Sequence, residues 1–427
     1  MTGQTSGLAP CGVRHVPMIA PFTPIVAEAG ERAVYAVFWR KGRPAGGQLL
    51  LTGELPVPAA AVPTLAAAAS GRSVAMMTPG LEEESEGESE RESERETKEK
   101  ATETSSIQRV LPSVSVVICT RDRAPDLHRC LVSLSRCVPA PGEIIVVDNA
   151  PDDDASEAVV RLHPAVRYIR EPRPGLSHAR NAGVRASSGA IVAFTDDDVE
   201  VSAEWIARIA APFSDSEIAC VTGIVLPADL SGDGACLFEF TIGAFGKEFR
   251  RRRYDRAFLQ REWRHAPDVW RIGAGANMAL RREIFAKIGL FDPRLGAGAS
   301  GCSEDSEFWF RLLHRGHVCL YDPAAVVYHY HRPDRIGLSR QLRAYSRGHV
   351  VALFVQYAQD RRPCHLVRAF VILPWYYLKS AIRALRQHDR DRLALIVPQL
   401  RGWLESPIHA LRWLRRDGPP RLAGDIP

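Results

Sequence analysis

Three consecutive aspartates, Asp196, Asp197 and Asp198, close the apolar run GAIVAFT at residues 189–195. Carboxylates held this close repel one another unless water or a cation screens them. A loop leaving a strand can curl so that Asp196 and Asp198 face one ion, and hard oxygen ligands favour Mg²⁺ or Mn²⁺. A solvated acidic turn explains the same three residues, and spacing alone leaves the two readings level. His329 and His331 lie two apart in VVYHYHR and share a face if that stretch is a strand. Imidazole suits Mn²⁺, so either histidine is a ligand candidate; a pair of half-buried strand-end histidines is the bland alternative. Cysteine nucleophiles, Ser-His-Asp triads and Walker loops find no support in the chain.

The elements that would have to hold these groups follow from patterning. Residues 113–333 alternate between strand-like and helix-like segments. VSVVICT is an apolar strand, and DLHRCLVSLSRCV after it puts Leu127, Cys130, Leu131, Leu134 and Val138 on one helical face. EIIVV, VRYIR, AIVAFT and IACVTGIVL read as further strands, ASEAVVRLH and LSHARNAGVRAS as helices, and Ser202 as the cap of SAEWIARIAAPF. All-apolar strands alternating with helices imply a mostly parallel sheet covered on both faces, an α/β fold. Ligands on such sheets bind beyond the carboxyl ends of the strands. Three polar clusters fall at those ends: Thr120 to Arg123, Asp148-Asn149, and the triple aspartate. Their shared placement favours the ion over the wet turn.

At this point the sequence resembles a family. VSVVICTRDR, EIIVVDNA and GLSHARNAGVRASSGAIVAFTDDDVEVSAEWI are similar to the nucleotide-sugar half of family-2 glycosyltransferases with the GT-A (Rossmann-like) fold. RIGAGANMALRREIFAKIGLFDPRLGAG resembles their acceptor-side segment, and SEDSEFWFRLLHRGHVCLYDPAAVVYHYHR their ED-bearing helix and following strand. The resemblance spans roughly residues 113–333. It implies a metal-dependent inverting enzyme that moves a single sugar from a nucleoside diphosphate sugar (UDP, dTDP or GDP) to an acceptor hydroxyl, as in cell-envelope or glycoconjugate synthesis. On the matching positions, Asp196 and Asp198 hold Mg²⁺ or Mn²⁺ with His329 completing the site. Thr120, Arg121, Asp148, Arg180 and Asp197 contact the nucleotide. Asp305 is the general base, and Gly275, Asn277 and Glu304 line the acceptor side. No aromatic stands near Arg121 for base stacking, and an arginine plane is the substitute. Residue chemistry offers a second account of GCSEDSEF: Ser303 caps a helix whose first turn carries Glu304, Asp305 and Glu307, where the helix dipole favours acids. The two accounts are compatible. The rival functions are a catalytically silent binding or scaffold protein of this fold, and a metal-dependent phosphohydrolase that would leave the ED helix unexplained.

The rest of the 427 residues divides by composition. Residues 1–80 hold AVYAVFWR-KGRPAG-GQLLLTG, a β-hairpin signal within a small N-terminal module or extension. Residues 81–106 have almost no apolar side chains and read as a disordered acidic spacer. The catalytic domain is expected over 107–333, and a basic helical region over 334–427. Between 335 and 417 there are sixteen Lys or Arg against five Asp or Glu. There AFVILPWYYLKSAIRALRQ sets aromatics beside cations, as in segments that lie on anionic membranes; packing against the catalytic domain explains its apolar face equally well. The net charge of +5 does not point to nucleic acid. Nine cysteines without CxxC spacing, and no basic-then-apolar leader or 18-residue apolar run, set the expectation of a cytoplasmic enzyme, peripheral at most to the inner membrane face. The acceptor is then expected to be lipid-linked or a glycan.

Overall fold

A computed structural model of the chain describes residues 7–70, 111–245, 248–261 and 266–416. The acidic spacer expected over 81–106 lies outside the described residues. Near the N-terminus, β1 (Cys11–Pro17) pairs in parallel with β2 (Ala33–Arg40), which pairs antiparallel with β3 (Arg43–Leu51). The sequence put the hairpin turn over KGRPAG. The structure confines it to Lys41 and Gly42, both at positive φ, as a two-residue turn of this hand requires. The Pro44–Gly46 stretch runs on as strand, with a register shift opposite Phe38 and Trp39. One face of this sheet packs its own small core with the helix Val62–Ser70; the other, through Tyr35 and Val37, joins the main core. The module is thus welded to its neighbour, and the backbone of Cys11 bonds to Leu230.

The main sheet contains β4 (Val114–Thr120), β5 (Glu143–Asn149), β6 (Val166–Glu171), β7 (Ile191–Asp196), β8 (Val199–Val201), β9 (Ile218–Pro227), β10 (Arg252–Tyr254), β11 (Asn277–Arg281) and β12 (Val318–His329). Its order is β10-β12-β9-β11-β7-β4-β5-β6, with β8 on β12. The run β6-β5-β4-β7 is parallel throughout. Its side chains alternate between two buried faces: Val117, Ile145, Val147, Val192 and Phe194 on one, Val116, Ile118, Val146, Ile191 and Ala193 on the other. Each of the buried valines, isoleucines and Phe194 contributes about 1.5–3 kcal/mol by leaving water. Beyond β7 the sheet is mixed: β11 runs antiparallel to both β7 and β9, while β12 is parallel to β9.

This topology places the ligand crevice. From β4 the chain steps outward through β5 and β6, then returns to β7 on the other side of β4. The carboxyl ends of β4 and β7 therefore part at a topological switch point. The helix Ala124–Ser135 buries Leu127, Cys130, Leu131 and Leu134 as the spacing predicts, but it ends at Ser135, so Val138 lies beyond it and is exposed. The segment after the aspartates also differs from expectation. Its helix starts at Trp205, and Ser202 joins it only through its carbonyl, which accepts from the Trp205 backbone. In the C-terminal region the helix Arg335–Asp360 packs beside the loop that leads into the helix Glu304–His314. Contact there is so close that a Cβ on Gly348 would lie 2.5 Å from the Cys302 backbone nitrogen. The helices Leu373–Arg386 and Arg390–Arg416 complete this layer. No helix among the described residues is long and apolar enough to cross a membrane.

Candidate active site

Asp196 ends β7, and two residues later the chain turns into the short β8, which pairs with the end of β12. That pairing sets His329 opposite Val199 and brings its Nε2 to 3.3 Å from Asp198 Oδ1. One potential ligand atom each from Asp196, Asp198 and His329 all lie within 4.8 Å of one another. Behind His329, its Nδ1 is 3.1 Å from His331 Nδ1, and His331 Nε2 is 3.2 Å from Glu239 Oε2. His331 therefore orients His329 and anchors it to Glu239, an arrangement that tunes a ligating imidazole.

Asp197 points elsewhere. Thr120 Oγ1 donates to one of its oxygens at 2.8 Å, and Arg123 Nη1 to the other at 2.7 Å. The same Arg123 nitrogen donates to Asp198 Oδ2 at 2.8 Å, so a guanidinium bridges two of the three aspartates. Burial is the largest influence on Asp197 and pushes its pKa up to about 7, against the pull of Arg123 and with the help of Asp198. Asp196 is likewise raised by burial, and the Arg180 charge opposes the shift. Asp196 and Asp197 thus resist ionisation, a strain that a nearby cation would relieve.

Arg180 is the second hub. Its side chain is 3% exposed, bonds Glu304 through Nη1 and approaches Asp196 Oδ1 at 3.6 Å. Burial alone would lower its pKa, but Glu304 and Asp196 hold it above the ordinary arginine value. Burial pushes Glu304 up to about 7 even with Arg180 opposing. Next to it, Asp305 accepts from the Gly275 backbone at 2.9 Å and from the Ser306 backbone at 2.6 Å. A Cβ on Gly275 would lie 2.6 Å from Arg180 Nη2, so a larger residue there would push the guanidinium away from its present position. At the end of β5, Asp148 is fully buried. Tyr168 donates to its Oδ2 at 2.9 Å, Oδ1 has no partner, and burial raises its pKa.

Residues 115–289 match the sequence profile of glycosyl transferase family 2. The chain carries a glycosyl transferase family 2 domain. Relatives agree with this at modest identity. Glycosyltransferase AglE of Haloferax volcanii is 26% identical over 287 residues, which cover 65% of this chain and 87% of that protein. The pre-mycofactocin glycosyltransferase of Mycobacterium tuberculosis is 25% identical over 266 residues, 61% of this chain and 52% of that one. Among solved structures, a mannosyltransferase from Pyrobaculum calidifontis, in complex with GDP-Man and Mn²⁺, superposes with a TM-score of 0.50 at 17% identity. The match covers 73% of this chain and 93% of that one, and establishes a shared GT-A fold.

Within the glycosyltransferase domain, the sequence-derived residues divide. The metal candidates Asp196, Asp198 and His329 come together, and Arg180, Gly275, Glu304 and Asp305 form a connected patch beside them. Thr120 reaches Asp197. Arg121 turns outward to Asp122 and toward Asp152, half-exposed just past the end of β4. Asn277 does not face the crevice. It is fully buried; its amide donates to the Ile224 and Ala325 carbonyls and accepts from Trp205 Nε1, locking β11 to β9 and β12. Ser303 sits at the N-cap position at positive φ without a capping bond, its hydroxyl against Cys302 Sγ. Arg311 is an internal partner of Glu307. Sequence reasoning missed Arg123 and Tyr168. TRDR offered two arginines, and only the backbone path after β4 decides which one reaches the aspartates.

Proposed function

We propose that this domain transfers a single sugar from a nucleoside diphosphate sugar to an acceptor hydroxyl with inversion, using Mg²⁺ or Mn²⁺ held by Asp196, Asp198 and His329. The observation that carries the reading is the convergence of those three ligand atoms at the switch point of the sheet, next to the patch bearing Asp305. Two carboxylates and an imidazole are a fitting donor set for such a cation. The Arg123 guanidinium across Asp197 and Asp198 is itself a cation drawn to the cluster. The mannosyltransferase of like fold, described with GDP-Man and Mn²⁺, supports the same choice of donor and metal class.

A divalent cation at this position supplies charge compensation to the departing diphosphate. The chain's own residues do the rest. Asp148, with one buried oxygen unpaired, accepts an N–H of the donor's base. Thr120 and Arg123 fix Asp197 beneath the nucleoside, and Arg121 lies over the outer edge of that subsite. Arg180 neutralises Glu304 and keeps it in place on the acceptor side. Asp305, fixed by two backbone N–H groups, keeps lone pairs for the acceptor hydroxyl and takes its proton as that oxygen attacks the anomeric carbon. Attack opposite the departing diphosphate in a single displacement inverts the centre. The acceptor is a hydroxyl of a lipid-linked or glycan substrate.

The test is a thermal-shift panel of UDP, dTDP and GDP sugars with and without Mn²⁺, followed by transfer assays. A Mn²⁺-dependent shift with one donor, and transfer lost in Asp305→Asn with the shift retained, is the expected result. Donor binding with no transfer to any acceptor would make the domain a silent binding protein. Phosphate release from simple esters without acceptor would make it a phosphohydrolase.

A further inference from the structure

The last two helices turn an apolar stripe away from the protein. Along Leu373–Arg386, the buried residues Tyr377, Ser380 and Ala384 face the body. Trp375, Leu378, Ile382 and Leu385 recur every three or four residues and are exposed, Trp375 at 54% and Leu385 at 61%. At 100° per residue the exposed stripe is centred roughly 140° from the buried one. Arg390–Arg416 repeats the design. Leu395, Ile396, Ser406 and Ala410 are buried, while Val397, Leu400, Leu404, Ile408 and Leu411 are exposed on the opposite side. A soluble surface rarely carries so many large apolar side chains in ordered rows, and such rows mark something that covers them.

The charges beside the stripes indicate what that is. Lys379, Arg383 and Arg386 flank the first row, and Arg401 and Arg412 the second. Lys379 Nζ lies 5.3 Å from the centre of the Trp375 ring. Among the described residues, Arg383, Arg386, Arg401 and Arg412 have no acidic partner. The nearby acids are engaged elsewhere: Asp391 with Arg335, Glu405 with Arg343 and Asp389 toward Arg392. An apolar row, a cationic flank and a tryptophan at their border are the features of helices that lie in the plane of an anionic bilayer. A second copy of the chain would bring the same cations face to face. We propose that Leu373–Arg386 and Arg390–Arg416 bind the surface of a membrane containing anionic phospholipid. The surface stands apart from the transfer chemistry, but it is only one helix away: Arg335–Asp360 touches Arg390–Arg416 at Gly402 and the approach to Asp305 at Gly348.

Flotation of the full chain with phosphatidylcholine vesicles, with and without about one quarter phosphatidylglycerol, tests this. One variant combines Leu378→Ser, Ile382→Ser and Leu404→Ser; another combines Lys379→Glu, Arg383→Glu and Arg386→Glu. All six positions are on the surface, and circular dichroism with the donor-induced thermal shift checks that each variant is folded. The wild type is expected to float with the anionic vesicles and at least tenfold less with phosphatidylcholine alone. Each basic residue near the surface is worth about fivefold in partitioning, so the charge variant should lose a hundredfold or more, and the serine variant at least tenfold. Failure of the wild type to float, or flotation unchanged in both variants, overturns the proposal. So does a dimer in sedimentation velocity that the serine variant dissolves while vesicles bind nothing, because a second copy then covers the face.

Discussion

Replacing Arg180 with methionine separates the buried charge pair from the packing around it. Methionine keeps an apolar stem near Phe194 and Phe291, whose ring centres lie 5.9 and 5.6 Å from the guanidinium. It removes the cation that Glu304, 6% exposed, depends on. In the folded protein Glu304 titrates at about 7, above its ordinary value of 4.5. A raised carboxyl pKa means that ionisation works against folding. The penalty is absent below about pH 4.5, grows as pH rises, and is complete above 7. At 1.36 kcal/mol per unit it reaches about 3 kcal/mol. Without Arg180 the folded pKa rises further, so in Arg180→Met the penalty keeps growing where the wild type has levelled off. At pH 5.5 Glu304 is protonated in both folded proteins, and their stabilities should lie close together. Above pH 7 the gap should open toward the about 3–5 kcal/mol typical of a buried pair that has lost one partner. With a urea slope of about 3 kcal/mol/M, that is a midpoint lower by about 1 M or more. Urea titrations of both proteins between pH 5.5 and 8.5, followed by tryptophan fluorescence and circular dichroism, measure it. A gap that is constant with pH, or that narrows as pH rises, would refute the pairing argument.

Further outcomes are expected at the neighbouring positions. Asp305→Asn should lower kcat by about 10²–10⁴ and leave the donor Kd unchanged, measured by transfer assay and calorimetry; an equal loss of donor binding would remove Asp305 from the role of base. Asp198→Asn and His329→Ala should each abolish the Mn²⁺-dependent thermal shift, as EDTA should in the wild type; a shift that survives both places the ion elsewhere. Gly275→Ala should reduce transfer sharply, because the new Cβ meets Arg180 Nη2 at 2.6 Å and displaces the N–H that holds Asp305. Asn277→Ala should cost about 1–3 kcal/mol for each partner left unpaired, read as a fall in Tm, with acceptor KM unchanged in the folded enzyme; an unchanged Tm with a raised KM would return Asn277 to the acceptor side.

How legible the site was depended on the range of the interaction involved. Strand runs and their ends are local features, so VSVVICT, EIIVV and AIVAFT announced where Thr120, Asp148 and the three aspartates would stand. Two-residue periodicity likewise kept His329 and His331 together, although only the pairing of β12 with β8 brought His329 to Asp198. The Glu304–His314 helix was expected from the acids that follow Ser303 and from the family resemblance, but the partners of its first turn were not legible. Glu304 meets Arg180 across 124 residues of sequence, and Asp305 meets the Gly275 backbone across 30.

By itself the sequence determined the alternation of strands and helices, the crowding of acids at one end of the sheet, and the cationic excess of the last ninety residues. Each follows from side-chain type and period, which survive any rearrangement of the chain in space. Tertiary structure alone decided that Arg123 and not Arg121 answers the aspartates, that Asn277 ties strands together, and that Asp197 turns inward to Thr120. It also decided which face of each C-terminal helix remains for a partner. The physical reason is that a polar side chain commits to whatever donor or acceptor packing brings within about 3 Å. Strand order and crossover geometry set that neighbour, and no single segment encodes them.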